Sequence, residues 1–218
     1  MNKIIKKLLD SVYPKGLVCI GCGNELTESE RKFSLCEKCF DTFIPISDNF
    51  ELGKGIVGAS CFEYDKIVRK MILSYKDSNQ PYIAEYIAKF MVEKFLENNF
   101  LCDGLVFVPS NKTTIRTRGY DALQYVAKNI SLALDLPIIY GIKKQEHICD
   151  LAQIEIGKRK DAIKDAFFID NNNPNFLKRN ILLIDDVITT GSTLLECVKV
   201  LKNAGANNIV LLTFASAR

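Results

Sequence analysis

The sequence contains no apolar run long enough to cross a membrane and no large excess of either charge. None of its apolar stretches approaches the roughly 20 residues that a transmembrane helix requires. Near the N-terminus, Ile4-Ile5 is followed at once by Lys6-Lys7, and this run is too short for a secretory signal peptide. The formal net charge of +3 over 218 residues is too small to indicate a nucleic-acid-binding protein by itself. We therefore expect a soluble cytoplasmic protein.

Histidine is nearly absent, and the sequence shows neither an internal repeat nor a low-complexity tract. The one histidine, His147, lies with Cys149 in a polar stretch over 143–164 that lacks clean periodicity and predicts a loop or mobile excursion. A lone exposed histidine is more often incidental than catalytic, so we assign no role to His147. We assign none to Cys149 either. With 48% hydrophobic and 25% charged residues, the composition is typical of a globular protein.

Cysteine is abundant, and four of the eight cysteines form two close pairs. Cys19-x2-Cys22 and Cys36-x2-Cys39 are separated by 13 residues. Two cysteines this close in a tight turn can direct both sulfurs at one ion, and four thiolates satisfy tetrahedral Zn²⁺ without an open position. Cytosolic thiols stay reduced, so the pattern favours a structural zinc site over disulfides. The alternative is four buried or redox-active cysteines.

The rest of the pattern divides the chain into a small module and a larger domain. Residues 1–50 hold a short amphipathic helix and the cysteine pairs. The polar, glycine-bearing segment 47–55 is predicted to be a linker, and predicted helices alternate with predicted strands over 56–218. Apolar runs predict strands over 103–109, 137–140, 181–187 and 209–214. Helical spacing predicts helices over 67–75, 83–91, 122–134 and 194–201. This alternation predicts an α/β fold, a doubly wound parallel sheet with a small N-terminal zinc-ribbon module.

The most informative segment is 181–193, ILLIDDVITTGST. Its buried strand delivers Asp185 and Asp186 to the carboxyl end, where they are acceptors suited to two ribose hydroxyls. A glycine-bearing turn then enters a helix, whose N-terminus offers N–H groups and a positive dipole end to a phosphate. An N-capped helix after an acidic turn is the alternative, but it does not explain two adjacent carboxylates, because buried uncompensated charge is costly. The predicted phosphate-binding residues are Thr189, Thr190, Gly191, Ser192 and Thr193.

This segment resembles the phosphoribosyl-diphosphate-binding signature of type I phosphoribosyltransferases. The resemblance implies that Asp185 and Asp186 hold the ribose 2′- and 3′-hydroxyls and that residues 189–193 hold the 5′-phosphate. Together with the cysteine pairs, the whole chain resembles the ComF family of competence-associated proteins, in which a zinc-finger module precedes a phosphoribosyltransferase-like domain. The resemblance also implies an Mg²⁺ ion bound to the diphosphate, because Mg²⁺ prefers hard oxygen ligands.

Other segments resemble the same family. Leu73-Ser74-Tyr75-Lys76 matches a lysine-bearing segment, Pro109-Ser110-Asn111-Lys112 matches the pyrophosphate loop, and Arg116 to Tyr120 matches a basic segment. Gln153 and Arg159 resemble residues of a mobile excursion. For each basic residue alone, a solvated surface charge is the alternative. The candidates for the pyrophosphate are Ser110, Asn111, Lys112, Lys76, Arg116, Arg118 and Arg159.

Two functional hypotheses remain open. The ComF resemblance implies a phosphoribosyl-diphosphate-binding protein that acts in DNA uptake, with single-stranded DNA and a competence helicase or recombination proteins as candidate partners. The alternative is an active phosphoribosyltransferase with an unknown acceptor. Enzymes that act on 6-oxopurines carry an acid–base Asp within the signature, where this sequence has Thr189, so that mechanism is not supported. Only 27 residues follow Gly191, so any hood over the acceptor is expected from the N-terminal half.

Overall fold

The paired cysteines lie in a segment of tight turns at the start of the described chain. The computed structural model describes residues 17–32, 34–53, 55–77, 80–145, 165–170 and 176–218. An antiparallel bridge joins Val18 to Glu25, and the Cys19 N–H donates to the Asn24 carbonyl at 2.7 Å. The second cysteine pair follows a 3₁₀ turn, Glu30–Lys32, and enters the one-turn helix α1, Glu37–Phe40.

A five-stranded sheet positions the rest of the chain. Within the described ranges, the strands are β1 (Phe50–Leu52), β2 (Ile56–Glu63), β3 (Gly104–Phe107), β4 (Ile142–Lys144), β5 (Phe167–Ile169), β6 (Asn180–Ile188) and β7 (Asn208–Ser216). The main sheet has the order β1-β2-β7-β6-β3, and all its pairs are parallel except β1 with β2. Strands β4 and β5 form a separate antiparallel pair. Because helices cover both faces, β6 is apolar from Ile181 to Ile184, and these four residues are fully buried.

Helices lie on both faces of this sheet, as predicted. Beyond α1 they are α2 (Lys66–Asp77), α3 (Ile83–Glu97), α4 (Lys112–Arg118), α5 (Ala122–Leu134) and α6 (Ser192–Asn203). Helices α3 and α5 pack against each other, α3 on β2 and β7 and α5 on β3. Helix α6 joins β6 to β7, and a right-handed crossover places it on the opposite face. The expected α/β fold with a mostly parallel sheet is therefore confirmed.

Three local predictions need correction. The segment predicted as a linker, 47–55, contains β1, because Phe50 and Leu52 pair with Gly58 and Ile56 of β2. The short strand predicted over 137–140 is a single parallel bridge from Ile138 to Leu105. The basic segment after the predicted pyrophosphate loop is not a loop but helix α4.

Candidate functional site

A cavity of about 600 Å³ opens at the carboxyl ends of β3 and β6. Ligands of open α/β sheets bind in the crevice beyond these strand ends. The cavity gathers both predicted aspartates and the whole predicted phosphate turn, together with side chains from α2 and α4. The polar and charged residues that line it are Tyr64, Lys76, Ser110, Thr114, Arg118, Lys144, Asp185, Asp186, Thr189, Thr190, Ser192 and Thr193.

The turn from β6 into α6 has the geometry of an anion cradle. Gly191 is the N-cap of α6 and has a left-handed backbone (φ +76°). A Cβ on Gly191 would lie 2.7 Å from Cδ2 of Leu52, so both conformation and space require glycine. The hydroxyls of Thr190 and Ser192 are 2.9 Å apart. Helix α6 begins at Ser192, so its first N–H groups and positive dipole end face the same turn.

The two aspartates differ in their surroundings. Asp186 is buried, accepts a hydrogen bond from the Tyr75 hydroxyl at 2.9 Å and forms an ion pair with Lys76. Asp185 is half-buried and accepts the Asp186 N–H at 2.9 Å. Both carboxylates line the cavity, so the ion pair with Lys76 does not close it. The carboxylate of Asp186 is therefore held by two side chains from α2, whereas that of Asp185 is held mainly by the backbone N–H of the next residue.

These surroundings move the two pKa values in opposite directions. Burial, followed by the neighbouring charge of Asp186, raises the pKa of Asp185 from 3.8 to about 8. Burial also acts to raise the pKa of Asp186, but the Lys76 ammonium and the Tyr75 hydroxyl outweigh it and lower that pKa. The two shifts together make Asp185 the member of the pair that takes up a proton more readily, and Asp186 the member that stays ionised.

The structure separates the basic candidates that the sequence groups together. Lys76 and Arg118 line the cavity, whereas Arg116 is exposed on α4 and is not among the lining residues. Lys112 lines a neighbouring cavity of about 200 Å³ that shares Ser110 and Lys144 with the first. Arg159, like Gln153 and His147, lies outside the described residues.

Asn111 has a structural role that the sequence also encodes. It is buried and caps α4, where its side chain accepts the Thr113 N–H at 2.9 Å. At the other end of α4, Gly119 has φ +82° and its N–H donates to the Ile115 carbonyl. An asparagine and a glycine bracketing seven residues are the usual helix start and stop signals, and they would have predicted α4.

Tyr75 is the main site residue that sequence reasoning missed. It follows the helical spacing of α2 and was assigned to the apolar face, yet its hydroxyl holds Asp186. The signal was a tyrosine, with its polar hydroxyl, at a core position beside Lys76. The Tyr120 hydroxyl in turn donates to the Tyr75 carbonyl. Lys144 of β4 also lines the cavity, and no local motif marks it.

The four paired cysteines meet at one point. The sulfurs of Cys19, Cys22, Cys36 and Cys39 all lie within 4.8 Å of one another. A Cβ on Gly21 would lie 2.6 Å from Sγ of Cys39, so the first turn must pass this close to the cluster without a side chain. Four convergent thiols with no other ligand type fit a structural zinc ion.

The backbone around the cluster favours the thiolate form of one ligand. Burial acts to raise the pKa of Cys19, but hydrogen bonds from the backbone of Cys36 and Cys22 outweigh it and lower the pKa to about 6. The Cys36 N–H lies 3.3 Å from Sγ of Cys19. Burial and hydrogen bonds with the neighbouring thiols raise the pKa of Cys39 instead, so within the cluster it is Cys19 that favours the thiolate, the form that binds zinc.

Comparison with known proteins first defines the class. Residues 115–218 match the family described as phosphoribosyl transferase domain. Among solved structures, glutamine phosphoribosylpyrophosphate amidotransferase from B. subtilis matches the chain at 17% identity and a TM-score of 0.41. That match covers 60% of this chain and 25% of the amidotransferase chain.

Two curated proteins are similar to this chain in sequence. Competence protein F of Haemophilus influenzae is 29% identical over 153 residues, which is 67% of each chain. Competence protein ComFC of Streptococcus pneumoniae is 24% identical over 191 residues, which is 86% of this chain and 79% of the relative. With the phosphoribosyl transferase domain and the four-cysteine cluster, these matches make the chain similar to competence proteins F and ComFC. None of the helices in the described ranges combines the length and hydrophobicity that a bilayer crossing demands.

Proposed function

We propose that the chain binds phosphoribosyl diphosphate with Mg²⁺ in the cavity at the ends of β3 and β6. One observation carries the proposal: a single cavity combines a helix-N-terminal phosphate turn, two carboxylates and basic residues from other elements. In the proposed domain organisation, the zinc module spans residues 1–50 and the ligand-binding domain spans 56–218.

Each part of the ligand has a matching part of the cavity. The turn over 189–193 receives the 5′-phosphate, and Asp185 and Asp186 accept the ribose hydroxyls. Lys76 and Arg118, which line the same cavity, offset the charge of the diphosphate. The cavity wall offers carboxylate and hydroxyl oxygens, which suit an Mg²⁺ ion that arrives with the diphosphate and keeps several waters.

Calorimetric titration with phosphoribosyl diphosphate, with and without Mg²⁺, tests this proposal. We expect saturable Mg²⁺-dependent binding that Asp185→Asn weakens strongly. Asp135→Asn is the matched control, because Asp135 is an exposed aspartate at the C-cap of α5, away from the cavity. Absence of binding by the wild-type chain, or equal binding by Asp185→Asn, contradicts the proposal.

The biological role that we propose is in DNA uptake during natural transformation, on the cytoplasmic side of the membrane. The support is similarity to two relatives that are named competence proteins. We propose single-stranded DNA as a ligand, and a competence helicase or recombination proteins as partners. Fluorescence anisotropy with a labelled single-stranded oligonucleotide tests the DNA part. A steep fall in affinity with salt is expected, and the absence of binding at low salt contradicts it.

Transfer of the phosphoribosyl group to an aromatic acceptor is a second candidate function, favoured by the neighbouring 200 Å³ cavity. Its walls include Phe107 and Tyr140, whose rings are 6.0 Å apart and edge-on, and the carboxylate of Asp121. Asp121 accepts a hydrogen bond from Ser110 at 3.0 Å, which links the two cavities. Pyrophosphate release with a nucleobase, lost in Asp185→Asn and reduced in Tyr140→Leu, supports transfer. No release with any nucleobase leaves the binding function alone.

A further inference from the structure

A groove of about 370 Å³ lies between the cysteine segment and α3, on a part of the molecule that the phosphoribosyl site does not use. Its floor consists of four phenylalanines, and its rim carries charged side chains. No residue of this groove lines the cavity at the ends of β3 and β6. The lining residues are Phe40, Asp41, Phe43, Pro45, Cys61, Phe62, Phe90, Glu93, Lys94 and Glu97.

The aromatic floor is continuous and partly open to solvent. Phe62 packs edge-on against Phe43 and Phe90, with ring centroids 4.8 and 5.1 Å away. Phe40 stacks on Phe43 at 5.8 Å and remains 39% exposed. The partly exposed ring of Phe40, which packs against neighbouring rings, therefore forms part of the surface of the groove.

The charge of the rim is opposite in sign to that of the whole chain. Three carboxylates line the groove against one ammonium group, whereas the formal net charge of the chain is +3. The ammonium belongs to Lys94, which is buried and pairs with Glu97 at 3.4 Å. Within the described part of the chain, no ion pair engages the exposed Asp41 or Glu93. Two carboxylates are therefore left to attract a cation to an aromatic surface.

We propose that this groove binds an arginine side chain from a basic segment of a partner protein. A guanidinium group stacks on aromatic faces and pairs with carboxylates through its planar fork. Its apolar stem covers aromatic surface while its charged end stays at the rim, and the lining of the groove offers both the Phe40 ring and the carboxylates of Asp41 and Glu93. Arginine is favoured over lysine, because the ammonium of lysine is strongly hydrated and lacks the flat face.

Fluorescence anisotropy with a labelled arginine-containing peptide tests the proposal on the full chain. We expect this peptide to bind about tenfold more tightly than the same peptide with citrulline, which keeps the shape and loses the charge. A lysine peptide is expected to lie between the two. Glu93→Gln and Phe40→Leu are each expected to weaken binding of the arginine peptide several-fold.

The chain offers matched controls for both substitutions. Glu85 lies on the same helix as Glu93 and pairs with Lys89, so Glu85→Gln should leave binding unchanged. Phe168 of β5 is as exposed as Phe40 and lies outside the groove, so Phe168→Leu should also have no effect. A titration with Mg²⁺ and phosphoribosyl diphosphate is run on every variant. It should be unaffected, which separates failure of this proposal from failure of the proposed function.

Two outcomes overturn the inference. The first is equal affinity for the arginine and citrulline peptides, or equal effects of the groove and control substitutions. The second is concentration-dependent self-association in sedimentation that Glu93→Gln or Phe40→Leu abolishes, since the groove would then be filled by a second copy of this chain.

Discussion

The cysteine cluster and the cavity at the ends of β3 and β6 are built in opposite ways. All four sulfurs of the cluster come from 21 consecutive positions, 19–39, and short turns bring them together. The cavity draws on residues far apart in the chain, and the hydrogen bond from Tyr75 to Asp186 spans 111 positions. One site depends on local spacing and a metal ion, whereas the other depends on the order of strands in a sheet. The two sites should therefore fail independently and by different mechanisms.

Removal of zinc should give the largest effect and sharpen this contrast. Cys39→Ser, or chelation, should remove about one zinc per chain and unfold the segment around the cluster. We expect a loss of more than about 5 kcal/mol from this segment, since structural zinc contributes roughly 10–16 kcal/mol in small domains. Amide exchange and metal analysis measure both effects.

The same experiment should leave the cavity almost unchanged. Among the residues that the structure describes, none before Tyr64 lines it, so affinity for phosphoribosyl diphosphate should change by no more than about twofold. Cys102→Ser is the control, because Cys102 is a half-buried thiol outside the cluster. Loss of ligand binding together with zinc would contradict the independence of the two sites.

Asp186→Asn should weaken ligand binding in the cavity and leave the cysteine cluster unchanged. It removes the charge that pairs with Lys76 and weakens the acceptor of the Tyr75 hydroxyl. We expect affinity for phosphoribosyl diphosphate to fall by about a hundredfold in calorimetry, with zinc content unchanged. An affinity within about twofold of wild type would show that the anchored carboxylate is not needed.

Gly191→Ala should have an intermediate effect, and Gly119→Ala is its control. Both glycines have φ near +80°, so each substitution introduces left-handed strain of about 1 kcal/mol. At Gly119 an added Cβ meets nothing within 4 Å, whereas at Gly191 it meets Leu52. We expect the free energy of unfolding to fall by about 1 kcal/mol in Gly119→Ala and by about 2 kcal/mol in Gly191→Ala. Equal losses, measured by denaturant titration, would mean that Leu52 moves aside freely.

The smallest expected effect is on the pH dependence of ligand binding. If Asp185, with a pKa of about 8, must ionise to accept a hydroxyl, affinity should fall about fivefold from pH 8 to pH 7. The Asp185→Asn variant should lack this component, and calorimetry in two buffers should detect the released proton. The effect of Asp185 on folding stability has the opposite dependence on pH from its effect on ligand affinity. Between pH 4 and 8 the folded chain holds a proton that the unfolded chain has lost, so the contribution of Asp185 falls as the pH rises.

The sequence predicted what depends on local pattern and missed what depends on pairing. The long strand over 180–188 and helices α3 and α5 follow from periodicity, and the cysteine cluster follows from spacing. Strand β1 was missed because its three residues carry no pattern of their own, and only pairing with β2 makes them a strand. Tyr75 was missed for a related reason, since its partner Asp186 lies on a distant strand.

The short edge strand β1 has a practical consequence for dissecting this protein. The Ile46 N–H donates to the Cys61 carbonyl and the Ile44 carbonyl accepts the Glu63 N–H, so this segment and β1 together cover the outer edge of β2. A shortened chain that starts at Ile56 would expose that edge, and an uncovered strand invites sheet-to-sheet aggregation. It would also remove Leu52 from its place next to Gly191 and so loosen the turn that is proposed to bind the 5′-phosphate. Attempts to express the larger domain alone should retain the chain from Ile44 onward.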